Sequence, residues 1–100
     1  MRTIGLEEHF VTSELAPYGK GTATIAEPHV WEEMSRRLLD LTGARLERMD
    51  AAGLDVQVLS LNSPGLQAEP DAALAVSRAA AVNDLLASTI EAHPTRFAGF

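Results

Sequence analysis

Apolar and polar positions alternate near the start of the chain. Ile4 and Leu6 alternate with Thr3 and Gly5, which predicts a short strand over residues 2–9, with Phe10 and Val11 prolonging it or opening a loop. From 12 to 27 no period holds. Pro17, Gly19 and Gly21 break any regular element, so a long irregular stretch of the lid or binding-loop kind is expected. A helix is predicted over 28–41: Pro28 suits its first position, and Val30, Met34, Leu38 and Leu41 form one apolar stripe flanked by Trp31. A second helix follows, with Thr42 as its candidate N-cap, Leu46 and Met49 on its buried side, and Gly53 just past its end. The nearly continuous apolar run Val56, Val58, Leu59, Leu61 predicts a strand over 55–61 of the kind covered on both faces, closed by the turn Asn62-Ser63-Pro64-Gly65. The longest helix is expected over 70–92, with Ala75, Ala79, Val82, Leu86 and Ile90 on its inner face. Pro94 ends it, and Phe97 opens another apolar run. Strand, helices, strand, helix, strand is the order of an α/β fold with a parallel sheet.

Composition narrows the class. Of 100 residues 46% are apolar and 22% charged, ordinary values for a globular sequence and unlike those of a disordered one. No apolar run is long enough to cross a bilayer, and Met1–His9 carries no signal-peptide core. Cysteine is absent, which excludes disulfides and thiolate metal sites. A net charge of −6 argues against nucleic acid as a partner. A cytoplasmic protein without a membrane partner is expected. Because Arg96–Phe100 reads as a strand just beginning, the chain is expected to be part of something larger.

The chemistry gathers at the end of the first strand, in Leu6-Glu7-Glu8-His9-Phe10. Residues two apart on a strand share a face, so Glu7 and His9 project together with Thr3 and Gly5, while Ile4, Leu6 and Phe10 face the helices. A carboxylate and an imidazole so placed can reach one zinc- or manganese-type ion, at the strand end where α/β sites lie. Glu-x-His also arises often by chance, and two ligands are fewer than a zinc site takes. His93 reads as a helix C-terminal residue and His29 as a solvated first-turn residue. Asp50 and Asp55 read as a helix end and a strand start, and Arg36 and Arg37 as pairing on a solvated helix face with Glu32 and Glu33. Neither a nucleophile elbow nor a phosphate-binding glycine loop is present.

Three segments go further in combination. Leu6-Glu7-Glu8-His9-Phe10, Arg45-Leu46-x-x-Met49-Asp50-x-x-Gly53-Leu54-Asp55 and Leu59-Ser60-Leu61-Asn62-Ser63-Pro64-Gly65-Leu66-Gln67 resemble the amidohydrolase-related decarboxylases of the γ-resorcylate type. Asn83-Asp84 and His93-Pro94-x-Arg96-Phe97 are similar too, so the resemblance spans nearly the whole chain. It implies a metal-dependent (β/α)8 TIM barrel, of which residues 1–100 would be the N-terminal part, the first two to three β/α units of a single domain. It implies Glu7 and His9 as metal ligands for zinc or manganese, with a further histidine, an aspartate ligand and the catalytic acid lying beyond Phe100. Glu7, where many of the superfamily carry histidine, points to the decarboxylase branch, and His9 favours an intact site. Phe10 at the pocket wall and Asn62 at the end of the second strand are the expected substrate-binding residues. Asn62 also reads as a turn-former, and Ser60 as a serine satisfied by backbone. The implied reaction is non-oxidative loss of carbon dioxide from a small hydroxylated aromatic acid, in a homo-oligomer of two or four subunits. A metal-dependent hydrolase of a lactone or amide on the same barrel, and a small non-catalytic α/β binding module, are the alternatives.

Overall fold

The computed structural model of the protein describes residues 1–19 and 25–100. Three strands, β1 (Ile4–Phe10), β2 (Val56–Leu61) and β3 (Phe97–Gly99), pair in that order, and both pairings are parallel. Helices α1 (Pro28–Leu39) and α2 (Gly43–Ala52) connect β1 to β2, and α3 (Ala72–Ala92) connects β2 to β3. Short 3-10 turns, Ala16–Gly19 and Gly65–Ala68, follow the first two strands. The expected α/β class with a parallel sheet is the one observed. No helix among the described residues is long and apolar enough to cross a membrane.

Strand β1 carries one residue too many for its partner. Ile4 and Gly5 pair with Val56 and Gln57, whereas Glu8, His9 and Phe10 pair with Leu59, Ser60 and Leu61. Leu6 and Glu7 together therefore oppose the single residue Val58, which makes a β-bulge. Paired residues on neighbouring strands share a face. Gly5, Glu8 and Phe10 thus lie on one face with Gln57 and Leu59, and Ile4 and His9 lie on the other with Val56 and Ser60. The surroundings of Gly5 agree: a Cβ there would stand 2.5 Å from Glu8 Oε1, although residues three apart on a regular strand face opposite ways. The expectation that Ile4 and Leu6 pack beneath the helices with Phe10 is therefore corrected. Ile4 is 48% and Leu6 70% exposed, while Phe10 is fully buried.

The helix-facing side of the sheet forms the core. Phe10, Leu59 and Phe97, one from each strand, are buried against Met49 of α2 and Val82 and Leu86 of α3. In α3 the observed inner face is the expected one, and its N-terminus is capped by Asp71, whose Oδ1 accepts the Leu74 N–H at 2.9 Å. Helix α1 ends at Leu39, two residues early, because Asp40 is extended; Leu41 still packs on the core from outside the helix. Thr42 stands at the N-cap of α2 but its side chain makes no capping bond. Asp40 does that work instead: its Oδ2 accepts the Arg45 N–H at 2.8 Å and its Oδ1 the Thr42 N–H at 3.2 Å. Gly53 closes α2 with φ +66°, the left-handed conformation expected of it.

The stretch expected to be irregular is built in part. Leu15 is 1% exposed, and the Leu15 and Ala16 N–H groups both return to the Thr12 carbonyl. Residues 20–24 of that stretch, Gly21 included, lie outside the described residues.

Candidate functional site

His9 and Ser60 sit side by side on neighbouring strands. Their pairing in the sheet brings His9 Nδ1 and Ser60 Oγ to 3.1 Å. Glu7 is the second residue of the bulge, and the alternation that runs on from it gives it the face of His9 and gives Glu8 and Phe10 the other. Glu7 and His9 are both exposed; the open groove of about 400 Å³ that they border lies on the helix-facing side, among Glu8, Arg45, Met49 and Gln57, and not on the face of the His9 ring. Ser60, set aside in the sequence as satisfied by backbone, instead uses its hydroxyl on the histidine next door.

The donor set can be weighed from this placement. A carboxylate oxygen and an imidazole nitrogen are the donors that zinc- and manganese-type ions accept. With Nδ1 occupied by Ser60, Nε2 is the ring nitrogen left to a ligand. The described residues contain no group of three or more His, Asp or Glu that could hold an ion, so Glu7 and His9 would supply two ligands of a larger set. The remaining histidines lie elsewhere. His29 is exposed on α1, and His93 ends α3 with its ring edge-on to Phe97 at 5.9 Å.

Phe10 does not stand at a pocket wall. It is fully buried on the helix-facing side, opposite His9, and supports the site from beneath. The reason is the strand alternation itself, which sends neighbours to opposite faces. Asn62 is half-buried just past β2. Its N–H donates to the Phe10 carbonyl at 2.8 Å and its Nδ2 to the Ser63 carbonyl at 3.2 Å, so it forms the turn while standing beside the end of β1.

Sequence reasoning missed Arg45, which holds the site's backbone. Its residue is 6% exposed. The guanidinium donates from Nη2 to the His9 carbonyl at 2.9 Å and the Arg37 carbonyl at 3.0 Å, from Nε to the Asp40 carbonyl at 2.6 Å, and from Nη1 to Gln57 Oε1 at 3.1 Å. Burial pushes its pKa below the ordinary value, opposed by the charges of Asp40 and Glu8. One signal was available: Arg45 precedes Met49 by four residues and so shares its buried helix face.

A second cluster joins the two loops that leave the strand ends. Tyr18, in the first 3-10 turn, donates its hydroxyl to Glu69, just past the second turn. Arg78 of α3 donates to Tyr18 and to Glu69, the latter at 2.7 Å, and its guanidinium lies over the Tyr18 ring at 5.5 Å. The Tyr18 hydrogen bond, helped by the Asp71 N–H, holds the Glu69 carboxyl below its usual range, and the same bond raises the Tyr18 phenol. A depressed carboxylate contributes stability that is present above its ordinary pKa and lost as pH falls through the folded-state value. Acidification below the ordinary carboxylate range is therefore expected to cost the wild type more than Glu69→Gln. Thermal melts of both between pH 7 and pH 3 check this; parallel losses would show that the cluster holds no such linkage.

Comparison with known proteins adds to this geometry. No protein-family model matches the chain. It is 39% identical over 97 residues to a γ-resorcylate decarboxylase of Rhizobium radiobacter, which covers 97% of the chain and 29% of that protein. A dihydroxybenzoic acid decarboxylase from a Polaromonas species, solved with manganese and the inhibitor 2-nitroresorcinol, superposes with a TM-score of 0.87 at 40% identity, over all of the chain and 30% of its own. A 2,6-dihydroxybenzoate decarboxylase solved with 2,6-dihydroxybenzoate gives the same TM-score at 39% identity and the same coverage. The chain thus spans about three-tenths of the length of the relatives it matches. Its parallel strand–helix units are those of the (β/α)8 barrel these enzymes share. In sequence and in backbone, the chain is similar over its whole length to part of the decarboxylases of the γ-resorcylate type.

Proposed function

We propose that residues 1–100 form the N-terminal part of a single metal-dependent barrel domain that decarboxylates a hydroxylated aromatic acid without oxidation. The observation that carries this is the placement of Glu7 and His9 at the C-terminal end of β1, on the face turned away from the helices, where barrel enzymes keep their chemistry. The relatives, named as decarboxylases of dihydroxybenzoates, supply the substrate class. A sheet of three strands is too small to close a barrel, so the remaining strands belong to the rest of the protein.

Glu7 and His9 would hold a divalent cation, manganese or zinc. Such an ion, when bound, supplies a Lewis acid and a template for the substrate carboxylate and its ortho oxygen. The chain's own residues do the holding. Arg45 fixes the His9 carbonyl, Ser60 meets the His9 ring, and Asn62 stands beside the end of β1 where a pocket would open. The Tyr18–Glu69–Arg78 cluster ties together the two loops flanking that opening. The proton for the ring carbon comes, on this reading, from an aspartate outside these residues. A homo-oligomer of two or four subunits in the cytoplasm belongs to the same proposal, and light scattering and fractionation test it.

The direct test incubates the complete protein carrying this chain with 2,6-dihydroxybenzoate. Carbon dioxide release that stops on chelation and returns with manganese is expected. Turnover of lactones or amides instead would favour the hydrolase reading.

The non-catalytic module makes a separate prediction. Residues 1–100 expressed alone are expected to aggregate or to melt without a cooperative transition. Each outer strand leaves one edge unpaired, and Ile4 and Leu6 are exposed beside one of them. A reversible, cooperative melt of that fragment by calorimetry would favour the module.

A further inference from the structure

We infer that Ser60 is a positioning residue for His9, setting which ring nitrogen of that histidine faces a metal ion; this rests on Glu7 and His9 being ligands. The contact has two forms. In one, His9 Nδ1–H donates to Ser60 Oγ and Nε2 keeps its lone pair; in the other, the Ser60 hydroxyl donates to Nδ1 and Nε2 carries the proton. Only the first leaves Nε2 able to bind an ion.

The strand geometry makes the contact a built one. His9 and Ser60 are direct partners in the β1–β2 ladder, in the regular register that follows the bulge. The carbonyl of His9 is fixed from the opposite face by Arg45 at 2.9 Å, and the next residue, Phe10, is fully buried. Backbone and ring are thus held by different elements, α2 through Arg45 and β2 through Ser60. The bulge is what makes this possible. Were the ladder to run on without a bulge, the pairing of Ile4 with Val56 and Gly5 with Gln57 would set His9 opposite Leu61, whose partner Phe10 lies on the core face. A ligating histidine depends on the acceptor for its other N–H, and losing that acceptor weakens metal binding roughly 10–100-fold. Ser60 is the acceptor this chain places there.

The test uses the complete protein and Mn²⁺ alone, comparing wild type with Ser60→Ala, Ser60→Val, Ser60→Thr and His9→Ala. The dissociation constant is expected to rise roughly 10–100-fold in Ser60→Ala and Ser60→Val. It should stay near wild type in Ser60→Thr, which has the shape of valine but keeps the hydroxyl. Wild-type affinity in Ser60→Ala and Ser60→Val, with binding lost in His9→Ala, would overturn the role of Ser60 while leaving the ligand assignment standing. Undiminished binding in His9→Ala would overturn both. A second readout needs no Ser60 variant. In the Zn²⁺-loaded wild type, proton–nitrogen correlation is expected to show a slowly exchanging His9 Nδ1–H, and zinc bound through Nδ1 or a rapidly exchanging Nδ1–H would contradict the inference.

Discussion

Replacing Glu7 or His9 by alanine in the complete protein is expected to remove bound metal and activity together. On the proposed assignment, each variant would delete one of the two donors that the described residues offer to an ion. A Lewis acid positioned on the reacting carboxylate is worth several kcal/mol, so activity should fall roughly 10³-fold or more. Folding should be spared, because both side chains are exposed and neither enters the core. Element analysis and turnover measured on the same preparations check this. Full metal content in both variants would refute the ligand assignment, and loss of metal with undiminished turnover would refute a metal-dependent reaction.

The second large effect is on stability. Arg45→Ala is expected to destabilise the protein by about 3–5 kcal/mol, because several part-buried or buried acceptors lose a charged donor at about 1–3 kcal/mol each. Three backbone carbonyls, those of His9, Arg37 and Asp40, and the side chain of Gln57 lose their donor at once. Gln57 is itself buried and also reaches Glu8 at 3.4 Å, so the loss spreads to β1. Arg45→Lys should recover little, since one ammonium cannot span acceptors that a planar fork reaches from three nitrogens. Urea unfolding of the three proteins measures it, and an alanine variant within about 0.5 kcal/mol of wild type would show that the network contributes little. Because the His9 carbonyl is among the acceptors, metal affinity should weaken in the same variant.

Much of the fold could be read along the chain because its helices and strands are strongly patterned. The stripe of α3, the glycine that ends α2 and the apolar run of β2 each state their own conformation, and their order implies a parallel sheet. What could not be read depends on partners distant in sequence. The bulge in β1 exists only relative to β2: nothing in Ile-Gly-Leu-Glu-Glu-His-Phe announces that Leu6 and Glu7 will share Val58. Glu7 and His9 still share a face because the extra residue falls before the alternation that joins them. Ile4 and Leu6, on the near side of it, do not follow the pattern. Arg45 reads as one more charge on a polar helix until the carbonyls at its tip are known. Asp40 displaced Thr42 as the cap of α2 because an extended residue two positions earlier can aim a carboxylate at the helix entrance. Tyr18, Glu69 and Arg78 come from three separate segments, and only the tertiary fold joins them.

The most direct check is anomalous diffraction from crystals of the complete protein loaded with manganese. A single strong peak about 2.0–2.2 Å from a carboxylate oxygen of Glu7 and from Nε2 of His9 is the expected result. A manganese peak away from both side chains, in a protein that still turns over substrate, would contradict it.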